Sequence, residues 1–259
     1  MHASQIFDLT GQVALVTGAS SGLGARFARV LAANGASVVC LARRRERLDA
    51  LVAEITAAGG KAMTVEADVT DRNAMALAFD VALEAFGTVT ILVNNAGIAR
   101  QSRFLDQTPD DWRETMSVNL DAVYANAQMA AQRMVAAHQP GNIINIASIL
   151  GHNVGRSLSA YAVAKAGVVQ LTKAMALELA GQDIRVNSIA PGYFVTEINH
   201  DFLTSGKGQA MARKVPMGRF GDEGDLDGAL LLLASRAGAF ITGASLVVDG
   251  GQLLGISGG

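Results

Sequence analysis

The stretch that decides the fold is Val13-Ala14-Leu15-Val16-Thr17-Gly18-Ala19-Ser20-Ser21-Gly22-Leu23-Gly24. Apolar and β-branched residues typical of a buried strand come first, and a glycine-rich turn follows. Glycine is needed where a backbone must approach an anion closely, and the N–H groups that open the next helix would face that anion. The stretch therefore predicts a strand, a pyrophosphate-binding loop and a helix, with an ordinary strand-to-helix turn as the alternative.

Short β-branched runs and longer helical patterns alternate outward from this stretch. The runs cover 13–17, 37–42, 62–66, 91–93, 142–147, 185–190 and 245–248. The helical patterns cover 23–34, 45–58, 71–86, 109–137, 159–180 and 223–235. Continuous apolar strands separated by helices indicate a parallel sheet that is covered on both faces. We predict an α/β, doubly wound Rossmann fold with a seven-stranded, mainly parallel sheet, in one dinucleotide-binding and catalytic domain over 1–259.

The segment 193–221 lacks clear periodicity and carries Gly206, Gly208, Gly218 and Gly221. An irregular segment of that length inside a compact domain is often a binding loop or lid. We predict that it is the substrate loop.

Composition excludes several classes of protein. Half of the 259 residues are hydrophobic, 17% are charged and the formal net charge is −2, so a nucleic-acid footprint is not expected. Cys40 is the only cysteine, which rules out an intrachain disulfide. We expect no signal peptide, because the N-terminal residues lack a basic region followed by an apolar one. We expect no membrane span, because no uninterrupted apolar stretch approaches the ~20 residues required. A cytoplasmic protein is predicted, with no metal site, because the histidines lack paired ligand spacing.

Arg43-Arg44-Arg45-Glu46-Arg47 follows the second strand, where a dinucleotide fold reads the adenosine ribose. No acid stands at the strand end, and cations crowd a helix start whose dipole disfavours positive charge. This pattern predicts a preference for NADP(H), with Arg43 nearest the 2′-phosphate and Arg44 beside it, while NAD(H) is also considered. The alternative is a solvated charged turn.

Asp68-Val69 follows the third strand. Asp68 would accept a hydrogen bond from the adenine amino group, or it would cap the helix that begins near Asp71; the sequence leaves both open.

Tyr161 and Lys165 are one helical turn apart on one face, and Ser148 ends a strand thirteen residues before Tyr161. An unperturbed tyrosine is a poor base at neutral pH, and a nearby ammonium favours its phenolate. The pair is therefore a candidate acid/base, although two residues on a half-exposed helix face would give the same spacing.

Several motifs together make the chain resemble the single-domain short-chain dehydrogenase/reductase family, in the family's order and over nearly the whole length. The matching residues are the loop 17–24, Asn94-Asn95-Ala96-Gly97, Asn119, Ser148, Tyr161-x-x-x-Lys165, Pro191-Gly192 and Val248-Asp249-Gly250-Gly251.

The resemblance implies an NAD(P)-dependent oxidoreductase and a role for each catalytic residue. Tyr161 would exchange a proton with the carbonyl or alcohol oxygen, and Ser148 would hydrogen-bond that oxygen. Lys165 would hold the nicotinamide ribose and lower the pKa of Tyr161. Asn119 would anchor a water that links Lys165 to solvent.

The resemblance also implies the cofactor contacts. The pyrophosphate would lie among Gly18, Ser20, Ser21, Gly22, Leu23 and Gly24. The adenosine side would be lined by Arg43, Arg44, Asp68, Val69, Asn94, Asn95, Ala96 and Gly97, and the nicotinamide side by Tyr161, Lys165, Pro191, Gly192, Phe194 and Thr196. Ser21 departs from many NADP(H)-using members, which carry a basic residue there.

The predicted substrate site is mostly apolar and lies in 149–158 and 193–218. Its residues include Ser148, Leu150, Leu158, Tyr193, Phe202, Leu203, Met211 and Met217. These residues suit a small to medium apolar ketone or secondary alcohol. The basic residues Lys207, Arg213, Lys214 and Arg219 would instead meet the carrier of a 3-oxoacyl thioester, or form a solvated face. A non-catalytic NADP(H)-binding protein is a third hypothesis.

The resemblance implies a homotetramer, or a homodimer, built through the helices over 109–137 and 159–180 and through the C-terminal strand. The alanines on these helices would allow close approach of a second copy, and they would equally fill the core of one chain. These alanines are Ala122, Ala125, Ala127, Ala130, Ala131, Ala174, Ala176 and Ala180.

Overall fold

Seven parallel strands form one sheet in a computed structural model that describes residues 3–195 and 205–254. The strands are β1 Val13–Thr17, β2 Ser37–Ala42, β3 Lys61–Glu66, β4 Ile91–Asn94, β5 Gly141–Ile146, β6 Ile184–Pro191 and β7 Ser245–Val248. Their order is β3-β2-β1-β4-β5-β6-β7, and every neighbouring pair is parallel. The predicted fold class is confirmed, and the sheet is wholly rather than mainly parallel.

Nine α-helices occur in the described parts of the chain. They are α1 Ala3–Ile6, α2 Gly22–Ala33, α3 Arg45–Ala57, α4 Arg72–Phe86, α5 Pro109–Met116, α6 Ala122–Ala136, α7 Ser159–Leu179, α8 Gly206–Ala212 and α9 Asp227–Ala234. The helix predicted over 109–137 is divided by a π-helical turn, Ser117–Asp121. α8 lies inside the segment that was predicted to be irregular, and its start is capped by Ser205, which accepts from the Gly208 N–H.

Each face of the sheet has its own apolar core. Side chains alternate along a strand, so Ala14 and Val16 of β1 pack with Phe27 of α2 on one face. Leu15 packs with Phe79 of α4 on the other. Both phenylalanines are fully buried, and burial of a side chain of this size contributes about 1.5–3 kcal/mol. The two cores hold helices against both faces, which is the doubly wound arrangement.

The strand order reverses between β1 and β4, and this reversal positions the candidate site. From β1 the chain moves outward through β2 to β3, and it then returns to pair β4 with the other side of β1. In such sheets, ligands bind in the crevice at the carboxyl ends of the strands where the order reverses. The glycine-rich turn after β1 and Asn95-Ala96-Gly97 after β4 meet there.

Among the helices described, none is both long and apolar enough to cross a bilayer. The division of the chain into a single domain with a substrate loop at about 193–221 stays a prediction.

Candidate active site

The turn after β1 lies at the edge of the sheet and has glycine, which has no side chain, at two closely packed positions. Gly18 has a φ of +67°, and a Cβ on it would lie 2.9 Å from the Ala96 Cα. A Cβ on Gly24 would lie 2.5 Å from the Asn95 Nδ2 and would also overlap the Gly18 carbonyl oxygen. A side chain at either position would collide with the segment after β4, so the two glycines let the loop pack closely against Asn95 and Ala96.

The start of α2 fits an anion. Ser21 occupies the N-cap position but makes no side-chain cap bond to the first turn. The N–H groups at the start of a helix lack intrahelical partners and carry the positive end of the dipole. The loop residues Gly18, Ser20, Ser21, Gly22, Leu23 and Gly24 therefore form a cradle that fits a pyrophosphate.

Thr17 joins this loop to the segment after β4. Its Oγ1 accepts from the N–H groups of Asn95 and Ala96, at 3.0 Å each. The Asn95 Nδ2 donates to the Thr17 carbonyl oxygen at 2.9 Å. Asn95 and Ala96, which were predicted to contact the adenosine, thus also fix the shape of the loop.

Two arginines lie at the adenosine end. The Arg44 Nη2 donates to the Ser20 Oγ at 2.9 Å and to the Ser21 Oγ at 2.8 Å. The Arg43 Nη1 lies 3.7 Å from the Asp68 Oδ2. Arg44, rather than Arg43, is thus the arginine in direct contact with the glycine-rich loop.

Asp68 does not cap the following helix, so that alternative is wrong. The N-cap of α4 is Asp71, whose carboxylate accepts from the N–H groups of Asn73 and Ala74. The Asp68 Oδ1 instead accepts from the Thr70 N–H at 2.9 Å and the Thr70 hydroxyl at 2.7 Å, and these bonds lower the pKa of Asp68. Val69 is partly buried against the core.

Ser148, Tyr161 and Lys165 come together at the carboxyl end of β5. The Lys165 Nζ lies 5.6 Å from the centre of the Tyr161 ring, as their shared helix face predicts. The Ser148 side chain lies beside the Tyr161 hydroxyl and lowers its pKa, and the Ser148 Oγ accepts from the Leu150 N–H at 3.1 Å. A serine hydroxyl has two acceptor lone pairs and one proton, so the bond from Leu150 leaves that proton available for an oxygen placed beside Tyr161.

The pKa values of this group differ from the expectation. Burial raises the pKa of Tyr161 above 10, and the hydrogen bond from Ser148 opposes that rise. The ammonium of Lys165 donates to the Ile146 carbonyl oxygen at 2.7 Å, and burial lowers the pKa of Lys165 to about 8. In this geometry Ser148 is a second neighbour, besides the ammonium of Lys165, that favours the phenolate of Tyr161.

Asn119 lies in the π-helical turn and is fully buried. Its amide donates to the Ile98 carbonyl oxygen at 2.8 Å and accepts from the Ile98 N–H at 2.9 Å. A Cβ on Gly97 would lie 2.8 Å from the Asn119 Oδ1 and 3.6 Å from the Lys165 Nζ. Gly97 therefore lies closely against Asn119 and near Lys165, and the water predicted between these two side chains stays a prediction.

Asn94, which was predicted as a cofactor contact, lies in the core. Its side chain is 2% exposed, and its Nδ2 donates to the Asn145 Oδ1 at 3.0 Å. The side chain therefore braces β4 against β5 and does not line the crevice.

The chain after β6 was predicted to line the nicotinamide side. The Gly192 N–H donates to the Val248 carbonyl oxygen at 2.9 Å, and a Cβ on Gly192 would lie 2.8 Å from the Asp249 Cβ. Phe194 is buried, and its backbone forms an isolated β-bridge with Gly221. This pairing fixes the chain directly after Pro191-Gly192. Thr196, Phe202 and Leu203 lie outside the described residues.

Two apolar groups border the substrate side. Leu150 and Leu158 both lie around Gly155, where a Cβ would meet their methyl groups at 3.5 and 3.6 Å. Tyr193 packs against Phe220 with ring centres 6.0 Å apart, and Met211 joins the same small core. Met217 is exposed instead.

The basic residues beside this segment are not one free cluster. Arg219 lies 2.6 Å from the Asp225 Oδ2 and 3.7 Å from the Asp222 Oδ2. Arg213 and Lys214 are exposed. Arg219 is therefore paired with carboxylates in the turn before α9 and is not available as a free cation for an acyl carrier.

Two contributors to the site were not predicted in their observed roles. Thr17 was predicted as the end of β1 and the start of the glycine-rich loop, and its hydroxyl in an otherwise apolar strand was a usable signal for its contacts with Asn95 and Ala96. The hydrogen bond from Lys165 to the Ile146 carbonyl oxygen could not be predicted from the sequence, because every residue carries a backbone carbonyl group.

The comparisons agree with this geometry. A family model described as enoyl-(acyl carrier protein) reductase matches residues 18–252. The 3-oxoacyl-(acyl-carrier-protein) reductase of Thermotoga maritima is 35% identical over 246 residues, which cover 95% of this chain and 99% of that protein.

Two solved structures are similar over nearly their full length. A short-chain type dehydrogenase/reductase from Mycobacterium marinum has a TM-score of 0.91 and 39% identity, and the match covers 96% of this chain and 98% of that one. A gluconate 5-dehydrogenase from Burkholderia cenocepacia, in complex with NADP and tartrate, has a TM-score of 0.93 and 37% identity, covering 98% and 100%. The chain belongs to the short-chain dehydrogenase/reductase family and is an oxidoreductase that acts on CH–OH and C=O groups.

Proposed function

We propose that this enzyme interconverts an apolar ketone of small to medium size and its secondary alcohol, with NADP(H) as the preferred cofactor. The observation that carries the proposal is the placement of Lys165 Nζ 5.6 Å from the centre of the Tyr161 ring, with Ser148 at the end of the neighbouring strand β5 and the glycine cradle at the same sheet edge. A polar oxygen placed beside Tyr161 would receive hydrogen bonds from both hydroxyls.

The mechanism follows from the protonation states of these residues. A bound nicotinamide supplies or accepts the hydride. Tyr161 is a neutral phenol at pH 7, because burial raises its pKa. In reduction it gives that proton to the carbonyl oxygen, while Ser148 donates a second hydrogen bond to the same oxygen. Lys165, with a pKa of about 8, is poised to return a proton towards Tyr161 at neutral pH.

The preference for NADP(H) is supported by both arginines. Arg44 already binds the two loop serines, and Arg43 balances Asp68. A 2′-phosphate between them would gain charge-assisted hydrogen bonds. Ser21 contributes a hydroxyl where other members carry a cation, and Arg44 supplies that cation from the neighbouring turn.

The apolar substrate is supported by Leu150, Leu158 and Tyr193 on the substrate side. The structure of the gluconate 5-dehydrogenase contains tartrate, which is a polar ligand. A shared fold does not imply a shared substrate, so this ligand does not argue against an apolar substrate for the present enzyme. A sugar acid would need convergent polar groups in addition to Ser148 and Tyr161.

A 3-oxoacyl thioester is the second candidate, because the Thermotoga maritima relative is named for that activity. Arg213 and Lys214 would be the cations that meet the carrier. The Arg219–Asp225 ion pair weakens this candidate, because it removes one cation from the set.

NADPH oxidation by the purified enzyme distinguishes these substrates. Acetoacetyl-CoA and a simple aryl alkyl ketone are supplied at equal concentration, and we expect faster turnover of the ketone. Clear preference for the thioester would assign 3-oxoacyl reduction instead.

Tyr161→Phe tests the chemistry itself. We expect kcat to fall by about 10³-fold or more, because the variant has no proton to donate, while NADPH still binds. Cofactor binding is followed by NADPH fluorescence. Turnover that survives the substitution would contradict the proposed role, and a wild-type enzyme that binds NADPH without any turnover would favour a non-catalytic protein.

We also propose a homotetramer or homodimer in the cytoplasm. Most of the alanines that were assigned to an interface, including Ala127, Ala130 and Ala176, are buried inside the chain itself. An apolar groove of about 460 Å³ lies on the same pair of helices, between Tyr124, Val135 and Leu179, and it supports the proposed contact with a second copy. A monomeric mass at micromolar concentration would contradict the oligomer.

A further inference from the structure

A row of polar side chains crosses the sheet beneath α7. Asn94, Asn145, Ser188 and Ser245 are register partners on β4, β5, β6 and β7 in turn. Register partners in parallel strands point to the same face, so the four side chains lie side by side. The first three are at most 2% exposed.

Three hydrogen bonds connect part of this row to α7. The Asn94 Nδ2 donates to the Asn145 Oδ1 at 3.0 Å, and the Asn145 Nδ2 donates to the Thr172 Oγ1 at 2.9 Å. The Thr172 hydroxyl then donates to the Val168 carbonyl oxygen at 2.8 Å. The chain of bonds thus runs from the centre of the sheet into the backbone of the helix.

Thr172 lies on the stripe of α7 that carries the acid/base pair. Positions 161, 165, 168 and 172 recur at the spacing of one helix face. Lys165 binds the Ile146 carbonyl, and Ile146 follows Asn145 on β5. α7 is therefore attached to the same strand by two polar contacts, about two helical turns apart.

Apolar side chains would cover this face of the sheet without a desolvation cost. Buried amides and hydroxyls need exact partners, and their directional bonds specify one arrangement where apolar packing tolerates sliding. The polar contact is thus better suited to fixing a position than to adding stability.

We propose that Thr172, held by Asn145 and Asn94, is a positioning residue that sets the place of α7 on the sheet and so the place of Lys165 and Tyr161. This inference rests on the proposed function. Thr172 touches none of the reacting groups, and it acts through the helix.

The test uses three variants of the full-length enzyme. Thr172→Val removes the hydroxyl at nearly constant volume, and Thr172→Ser restores it. Ser188→Ala is the matched control, because that buried hydroxyl belongs to the same row but has no hydrogen-bond partner within 3–195 and 205–254. Each variant is assayed for kcat, for KM of NADPH, for the pH profile of kcat and for Tm.

We expect Thr172→Val to lower kcat by about tenfold, because small displacements of reacting groups are costly. The KM for NADPH should change less than kcat, since the glycine cradle on the other side of β4 keeps its contacts and only the predicted contact of Lys165 is displaced. The pH profile should shift, because Lys165 and Tyr161 change their surroundings. Thr172→Ser should recover most of kcat, and Ser188→Ala should leave it unchanged.

A Thr172→Val enzyme with lower Tm but unchanged kcat and pH profile would reduce Thr172 to a stabilising contact. Failure of Thr172→Ser to recover kcat would exclude the hydrogen bond as the cause. If Thr172→Val does not fold, Thr172→Cys makes the same test, because a thiol is a weak donor of similar size. Tyr161→Phe tests the proposed function independently. A failure of the positioning role of Thr172 can therefore be distinguished from a failure of the proposed function.

Discussion

The two ends of the site hold positive charge in opposite ways. At the adenosine end, the Arg43 side chain is 74% exposed and faces a carboxylate at 3.7 Å. At the catalytic end, Lys165 is 4% exposed and faces a backbone carbonyl. Water and salt screen the first charge, whereas the second is felt in full by its neighbours. If the proposed roles hold, the charge that recognises the cofactor is screened by solvent, and the charge beside the proposed acid/base is not.

Lys165→Met tests the interior charge and should give the largest effect. Burial lowers the pKa of Lys165 from 10.5 to about 8, so between these values the unfolded chain holds a proton that the folded chain has released. Across this interval the wild type should gain stability relative to the variant as pH rises, by up to about 3 kcal/mol. Below pH 8 both states carry the proton, and the difference should be constant.

Denaturant unfolding of both proteins at pH 7 to 10.5, without added dinucleotide, measures this difference. Titration of all other groups cancels between the two proteins. A difference that does not change with pH would mean that Lys165 keeps its proton in the folded enzyme, and the contrast between the two ends would then be lost.

Gly24→Ala tests the cradle that joins the two ends. The new Cβ would lie 2.5 Å from the Asn95 Nδ2, so either the loop or Asn95 must move. Overpacking of this kind costs about 2 kcal/mol, and we expect the Kd for NADPH to rise by about thirtyfold.

Gly228→Ala is the matched control, because Gly228 also lies in a helix and nothing stands within 4 Å of a Cβ built on it. Titration of NADPH fluorescence gives both Kd values. Equal affinity of the two variants would show that the cradle tolerates a methyl group.

Arg44→Ala tests the surface end and should give the smallest effect. We expect the Kd for NADPH to rise by about tenfold and that for NADH to stay nearly constant, because only the former carries a 2′-phosphate. The effect should shrink in high salt. Arg45→Ala is the control, since Arg45 pairs with Asp49 in its own helix. Equal losses for both dinucleotides would assign Arg44 to the loop serines alone.

The sequence predicted what is local and left open what is not. β1, its loop and α2 follow from adjacent residues, and Tyr161 and Lys165 follow from helical spacing. The partner of Asn119 is 21 residues away and that of Lys165 is 19 residues away, and no pattern indicates such contacts. Asp68 and Asp71 offer the same chemistry three residues apart, and only backbone geometry decides which of them caps α4.

Two residues of the polar row were nonetheless recognisable in the sequence as exceptions to an apolar pattern. Asn145 interrupts the apolar run of β5, and Thr172 interrupts an apolar stripe of α7. Polar residues at positions where the pattern calls for apolar ones must find partners when they are buried. Their partners could not be predicted, because these depend on how the helix lies across the strand.

The π-helical turn at Ser117–Asp121 makes the enzyme sensitive to the length of its chain as well as to its composition. A π turn holds one residue more than an α turn, and each residue of a helix advances it by about 100°. Loss of any one residue there would let α5 and α6 close into a regular helix, and Asn119 would rotate away from Ile98. Single-residue deletions in this turn should therefore be eliminated during evolution as strictly as substitutions of Asn119 itself.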